Sequence, residues 1–106
     1  MTYNGNVSVG GPAQTRELPG LTITKVAVGP MDNDCYLLRC TSTGEQLLID
    51  AANEPETLIG LLNGAPLATI VTTHQHPDHW QALEAVVKAT GAQTVAHPDD
   101  AGALPV

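Results

Sequence analysis

Three of the four histidines of this 106-residue chain fall within six residues, in Thr73-His74-Gln75-His76-Pro77-Asp78-His79-Trp80. Imidazole and carboxylate are donor types that suit zinc, iron and manganese. His74 and His76 are two apart, so in an extended segment both rings project to one side, their α-carbons about 6.6 Å apart at roughly 3.3 Å per residue. From there two rings converge on one ion at a Zn–N distance of about 2.0–2.1 Å. Pro77 fixes a bend, and Asp78 and His79 leave it in another direction, so the loop suits two metals side by side. Taken singly, each residue has a plainer role. Asp78 with Gln81 three positions on is a capping-box arrangement, and His76 and His79 would be surface residues. Taken together they form a candidate metal site, because an ordinary loop has no reason to gather three imidazoles.

The elements around the cluster place it at the rim of a sheet. Ala68 to Thr72 is uncharged and apolar apart from its threonines, as expected of a strand buried on both faces in a parallel arrangement. A helix is expected from about His79, with Trp80, Leu83, Val86 and Val87 on its inner face and Gly91 at its end, followed by a strand at Gln93-Thr94-Val95-Ala96-His97. Upstream, the alternation in Leu21 to Val28, Cys35 to Cys40 and Gln46 to Asp50 reads as three strands with short links, an antiparallel meander. Asn53-Glu54-Pro55-Glu56 starts a helix with Asn53 as a possible cap, and Leu58, Leu61 and Leu62 share a face before Asn63-Gly64. Residues 1–19, rich in Gly, Ser and Pro, read as a flexible or loosely docked arm ahead of a domain over 20–106. The fold class is α/β (α+β), a mixed β-sheet flanked by helices.

Composition narrows the function. Eleven acidic against four basic residues give a formal charge of -7, and Arg16, Lys25, Arg39 and Lys88 form no patch. Nucleic acid and anionic membranes, which need clustered cations, are poor partners. The N-terminal residues have neither a basic n-region nor an apolar h-region, and no run reaches bilayer length. Cys35 and Cys40 point to opposite faces of one strand and read as free thiols, which fits a cytoplasmic protein.

The sequence His74-x-His76-x-Asp78-His79 after an apolar strand resembles the signature of the metallo-β-lactamase fold superfamily, which includes glyoxalase II, lactonases and related hydrolases. In the same order, Met31-Asp32-Asn33-Asp34-Cys35-Tyr36-Leu37-Leu38 is similar to its "N-x-Y-L" strand and Leu48-Ile49-Asp50 to its "LID" strand. The resemblance spans about residues 21 to 104. It implies half of an αββα sandwich, with His74 and His76 as ligands of a first metal, Asp78 and His79 of a second, and Asp50 supporting them from behind. The implied cofactor is one or two Zn2+ ions, with iron or manganese in some members. The implied reaction is metal-assisted hydrolysis, in which an activated water attacks a thioester, lactone or amide carbonyl and Asp78 orients it.

That family's catalytic domain is about twice as long, and its second half supplies further His and Asp ligands. His97 is the remaining histidine, at a strand end but not where the next ligand is expected. Two or three ligands hold zinc less tightly than a closed set. The sequence therefore reads as the N-terminal half of a glyoxalase II-like hydrolase acting on a small-molecule substrate. Its site would be completed by a missing C-terminal half or a second copy, and the 106-residue chain alone would be weak or inactive. The alternative is a non-catalytic metal-binding or self-associating half-domain.

Overall fold

The computed structural model of the chain describes residues 7–9, 11, 13–29, 33–73 and 80–96. Among these, the alternating segments form β1 (Gln14–Leu18), β2 (Leu21–Val28), β3 (Asn33–Cys40) and β4 (Gln46–Ile49). There follow α1 (Pro55–Leu61), β5 (Thr69–Thr72), α2 (Leu83–Thr90) and β6 (Gln93–Ala96). The strands make one sheet in the order β1-β2-β3-β4-β5-β6. Pairing is antiparallel from β1 to β4 and parallel from β4 to β6. The change of sense follows from the links: short links join the first four strands, while α1 and α2 carry the chain back across the sheet. The expected mixed sheet with flanking helices is therefore what the chain forms.

Side chains in register share a face. One row, Leu37, Leu48 and Ile70 on β3, β4 and β5, is buried, and it packs with Val26 and Cys35 against Leu58 and Leu62 of α1 and Leu83 and Val86 of α2. Each large aliphatic side chain fully buried here contributes about 1.5–3 kcal/mol relative to exposure. The opposite row, Tyr36, Ile49, Val71 and Val95, stays partly exposed, and Val95 is 51% exposed. Both helices lie on one face. The expectation that β5 is buried on both sides therefore fails: Ile70 and Thr72 are buried, Thr69 and Val71 only half so.

Three other expectations change. Gln14–Leu18, read as part of the arm, pairs with Lys25 to Leu21 of β2, so order at 14–18 comes from an available strand edge and not from local composition. The helix read from about His79 starts at Leu83, with Ala82 as its first flanking residue; its end at Gly91, φ +71, is as expected. Asn53 does not cap α1, because Glu54 stands at that position with φ 51 and no side-chain cap. At the far end of the sheet, buried Gln46 donates to the carbonyls of Leu62 and Pro66 and pins the link between α1 and β5. No helix among the described residues is long and apolar enough to cross a membrane.

Candidate metal centre

The parallel strands β4 and β5 end side by side, and the carboxyl ends of parallel strands are where α/β sheets place their ligands. Asp50, the residue after β4, has φ 61 and is 6% exposed. Its amide donates to the carbonyl of Val71 at 2.8 Å, continuing the ladder one step beyond the strand. Its carboxylate then accepts two bonds from Thr73: the amide to Oδ1 at 2.7 Å and the hydroxyl to Oδ2 at 2.6 Å. Thr73 is the last described residue before His74. Asp50 thus holds the chain one residue before His74.

The turn that follows Asp50 is fixed on several sides. Ala51 and Ala52 are fully buried. The carbonyl of Ala51 accepts from the amide of Ala82 at 2.9 Å, which ties the turn to the start of α2. Asn53 Oδ1 accepts from the amide of Glu54 at 2.8 Å, and its Nδ2 donates to Gln81 Oε1 at 2.7 Å. Glu54 Oε2 accepts from the amide of Gly29 at 2.7 Å, holding the end of β2 against the same turn. Gly29 is required there twice over: its φ is +76, and a Cβ would stand 2.8 Å from Asn53 Cβ.

Beneath the turn lies Cys35, whose thiol is pushed up to about 11 by burial, with the negative charges of Asp50, Asp34 and Glu54 adding to it against a hydrogen bond from the Ala52 backbone. It is a neutral packing group, as a buried free cysteine should be. Cys40, at the other end of β3, is lowered to about 6 by hydrogen bonds from the side chains of Ser42 and Thr43. Neither cysteine is in a disulfide. Thr72 Oγ1 is buried and has no hydrogen-bond partner among the described residues.

His74, His76, Asp78 and His79 themselves, and His97, lie outside the described residues. Among the described residues there is no group of three metal-capable side chains. What the structure brings together is the frame: Asp50, Thr73, Gln81 and Ala82 around both ends of the segment. The donor set that the sequence supplies between them, three imidazoles and a carboxylate, is of the nitrogen and oxygen type that fits zinc, iron or manganese. Sequence reading missed Asn53, Glu54 and Gly29 as parts of this frame. The local signals they carry, a capping residue and a Gly-Pro turn, gave no hint of partners that lie tens of residues away.

Comparison with known proteins agrees with this fold. The hydroxyacylglutathione hydrolase of Rhodospirillum rubrum is 36% identical over 86 residues, 80% of this chain and 33% of that protein. That of Polaromonas sp. is 37% identical over 70 residues, 65% of this chain and 27% of that protein. The chain thus spans about a third or less of the length of these curated relatives. Among solved structures, TTHA1623 in a di-iron-bound form superposes with a TM-score of 0.65 at 34% identity, over 74% of this chain and 39% of that one. The BLEG-1 B3 metallo-beta-lactamase superposes with a TM-score of 0.67 at 25% identity, over 73% and 37%. The profile of the metallo-beta-lactamase superfamily matches residues 28–105, and the chain belongs to that superfamily.

Proposed function

We propose that this chain carries, over residues 20–106 together with the strand Gln14–Leu18, the N-terminal half of the metallo-β-lactamase-like domain of a glyoxalase II-like hydrolase that cleaves an acyl thioester of the hydroxyacylglutathione type. The observation that carries the reading is the double hydrogen bond of Asp50 to Thr73 at the mouth of two parallel strands, immediately before the His-x-His-x-Asp-His run. His74 and His76 would hold one ion, Asp78 and His79 a second. Zinc, or iron or manganese, bound there supplies a polarised carbonyl and a water nucleophile at neutral pH. Asp78 would orient a water for attack on the acyl carbon. Asp50 keeps Thr73, and with it the start of the ligand run, from drifting, since a misplacement of about 1 Å costs on the order of 100-fold in rate. The free thiols support a cytoplasmic setting. The expected result is thioester turnover by the longest natural form of the chain that a chelator abolishes and metal restores, with lactone and β-lactam substrates as comparisons. Turnover indifferent to the chelator would sink the reading.

The half-exposed row Tyr36, Ile49, Val71 and Val95 supports a second layer on that face of the sheet, either a further segment of a longer chain or a second copy of this one. It also favours the alternative reading, a non-catalytic half-domain that binds metal or associates with itself. Mass and metal content in solution separate the two versions. A metal-free monomer speaks against both self-completion and the metal-binding module.

A further inference from the structure

On the helix side of the sheet the register sets two short rows next to each other: Thr15, Thr24 and Leu37, then Thr22, Arg39 and Gln46. Directly opposed side chains of an antiparallel pair have Cβ atoms about 4.5–5.5 Å apart, and successive residues on one face are about 6.6 Å apart, so the two rows form one cluster. Neither helix covers β1, where Thr15 and Glu17 are exposed on this face, while the end of α1 closes one side through Leu61 and Asn63. The result is a cavity of about 210 Å³ between β1–β3 and the end of α1, with buried Leu37 and Gln46 in its lining.

The cavity is rich in donors. Arg39 brings a guanidinium fork, Asn63 a carboxamide, and Thr15, Thr22 and Thr24 their hydroxyls. Thr15 Oγ1 and Thr24 Oγ1 are 3.0 Å apart, so one hydroxyl proton is used between them and the other is left to donate outward. Among the described residues no carboxylate lines the cavity, although the chain has eleven acidic residues against four basic. Glu17, opposite Thr22, and Glu45, beside Gln46, are exposed and lie outside it. Lys25 is paired with Asp34 and Lys88 with Glu84, whereas Arg39 makes no ion pair among the described residues. A carboxylate has two oxygens, which a single guanidinium fork satisfies; donors arriving from three strands and a helix end suit a tetrahedral oxyanion, with acceptor oxygens on every side. We infer that this cavity is a binding site for a phosphate group, which Arg39 grips as a fork while Thr22, Thr24 and Asn63 donate from the sides. The site shares no residue with the turn at 50–53 and stands apart from the metal-site reading.

The test is a titration of the full chain with inorganic phosphate, at an ionic strength held constant with sodium chloride, followed in 1H–15N NMR spectra. The amides of Thr22, Thr24 and Arg39 should shift together and saturate, with a Kd of about 1 mM. Arg39→Gln should weaken binding about 10-fold or more, the scale of one charge-assisted hydrogen bond, and Arg39→Lys should weaken it less, since a point charge replaces a fork. Thr24→Val keeps the shape of the strand residue and removes only its hydroxyl, so it should weaken binding several-fold, and the same spectra report whether each variant is folded. Acetate should bind several-fold more weakly than phosphate. A parallel titration with glycerol 3-phosphate identifies the source of the group: tighter binding supports a phosphoester ligand, weaker binding the free ion. Shifts that do not saturate, that chloride alone reproduces, or that centre on Asp50 and Thr73 overturn the assignment. So does acetate binding as tightly as phosphate, or a folded Arg39→Gln variant with the affinity of the parent.

Discussion

Removing the Asp50 carboxylate tests how the site is fixed to the fold. The side chain accepts from the Thr73 amide at 2.7 Å and from its hydroxyl at 2.6 Å in a position 6% exposed, so water replaces neither bond fully. Hydrogen bonds to a charged group contribute about 1.5–3 kcal/mol each, so the pair is worth about 3–6 kcal/mol. Asp50→Ala forfeits both and adds about 1 kcal/mol or more for alanine in the left-handed region, where Asp is better tolerated. Asp50→Gly forfeits the bonds but relieves the backbone. Asp50→Asn keeps an acceptor for the Thr73 amide and offers an NH2 to the Thr73 hydroxyl, so its cost is about 1–2 kcal/mol. The expected order of loss is Asn, then Gly, then Ala, and since small domains hold only about 5–15 kcal/mol, the alanine variant should be close to unfolding at room temperature. Urea unfolding followed by circular dichroism measures the order, and each kcal/mol should also lower Tm by about 4–8 °C. An alanine variant within about 0.5 kcal/mol of the parent, the size of an ordinary surface change, would refute the reasoning. So would an asparagine variant as damaged as the alanine one.

The two cysteines should part company in alkylation. At pH 7 and below denaturing conditions, iodoacetamide should label Cys40, lowered to about 6, and spare Cys35, raised to about 11; mass spectrometry of the peptides reads the difference, and Ser42→Ala should slow the labelling of Cys40. Cys35 also predicts an alkaline loss of stability. Its folded value lies above its ordinary 9.0, so the folded state keeps a proton that the unfolded chain has given up; its contribution is intact below pH 9 and declines from pH 9 to about 11. Urea midpoints against pH should fall more steeply over that window in the parent than in Cys35→Ala, and parallel curves would contradict the assignment.

Strands β2, β3 and β4 were legible because their apolar residues alternate over a one-sided core, which is the pattern a short-range reading detects. The end of α2 was legible from Gly91, where only the local backbone decides. The failures share a different cause. Gln14–Leu18 has little to bury and becomes a strand because β2 offers it an edge. Asn53 looks like a helix cap, yet Gln81 and the Gly29–Glu54 bond draw the turn into another shape. Uncharged β5 looked doubly buried because composition cannot say on which side the helices will fall. At the candidate metal centre the donor types could be read from spacing, while the frame around the two ends of the run depends on partners 23 to 31 positions apart, from Asp50 with Thr73 to Ala51 with Ala82.

The strand order has a consequence for how the chain folds. Every strand pairs with its neighbour in sequence, so the sheet can grow by accretion from β1 to β6 without waiting for a distant partner. The hairpins from β1 to β4 close first and cheaply; the crossovers from Ile49 to Thr69 and from Thr72 to Gln93 close later, at a cost that rises by only about 0.6 kcal/mol per doubling of length. His74, His76 and His79 sit inside the last of these closures. Amide protection should therefore reach β2 and β3 before it reaches Thr73 in pulsed hydrogen exchange, and metal would be captured by a sheet already assembled, as a late guest of the fold and not its seed.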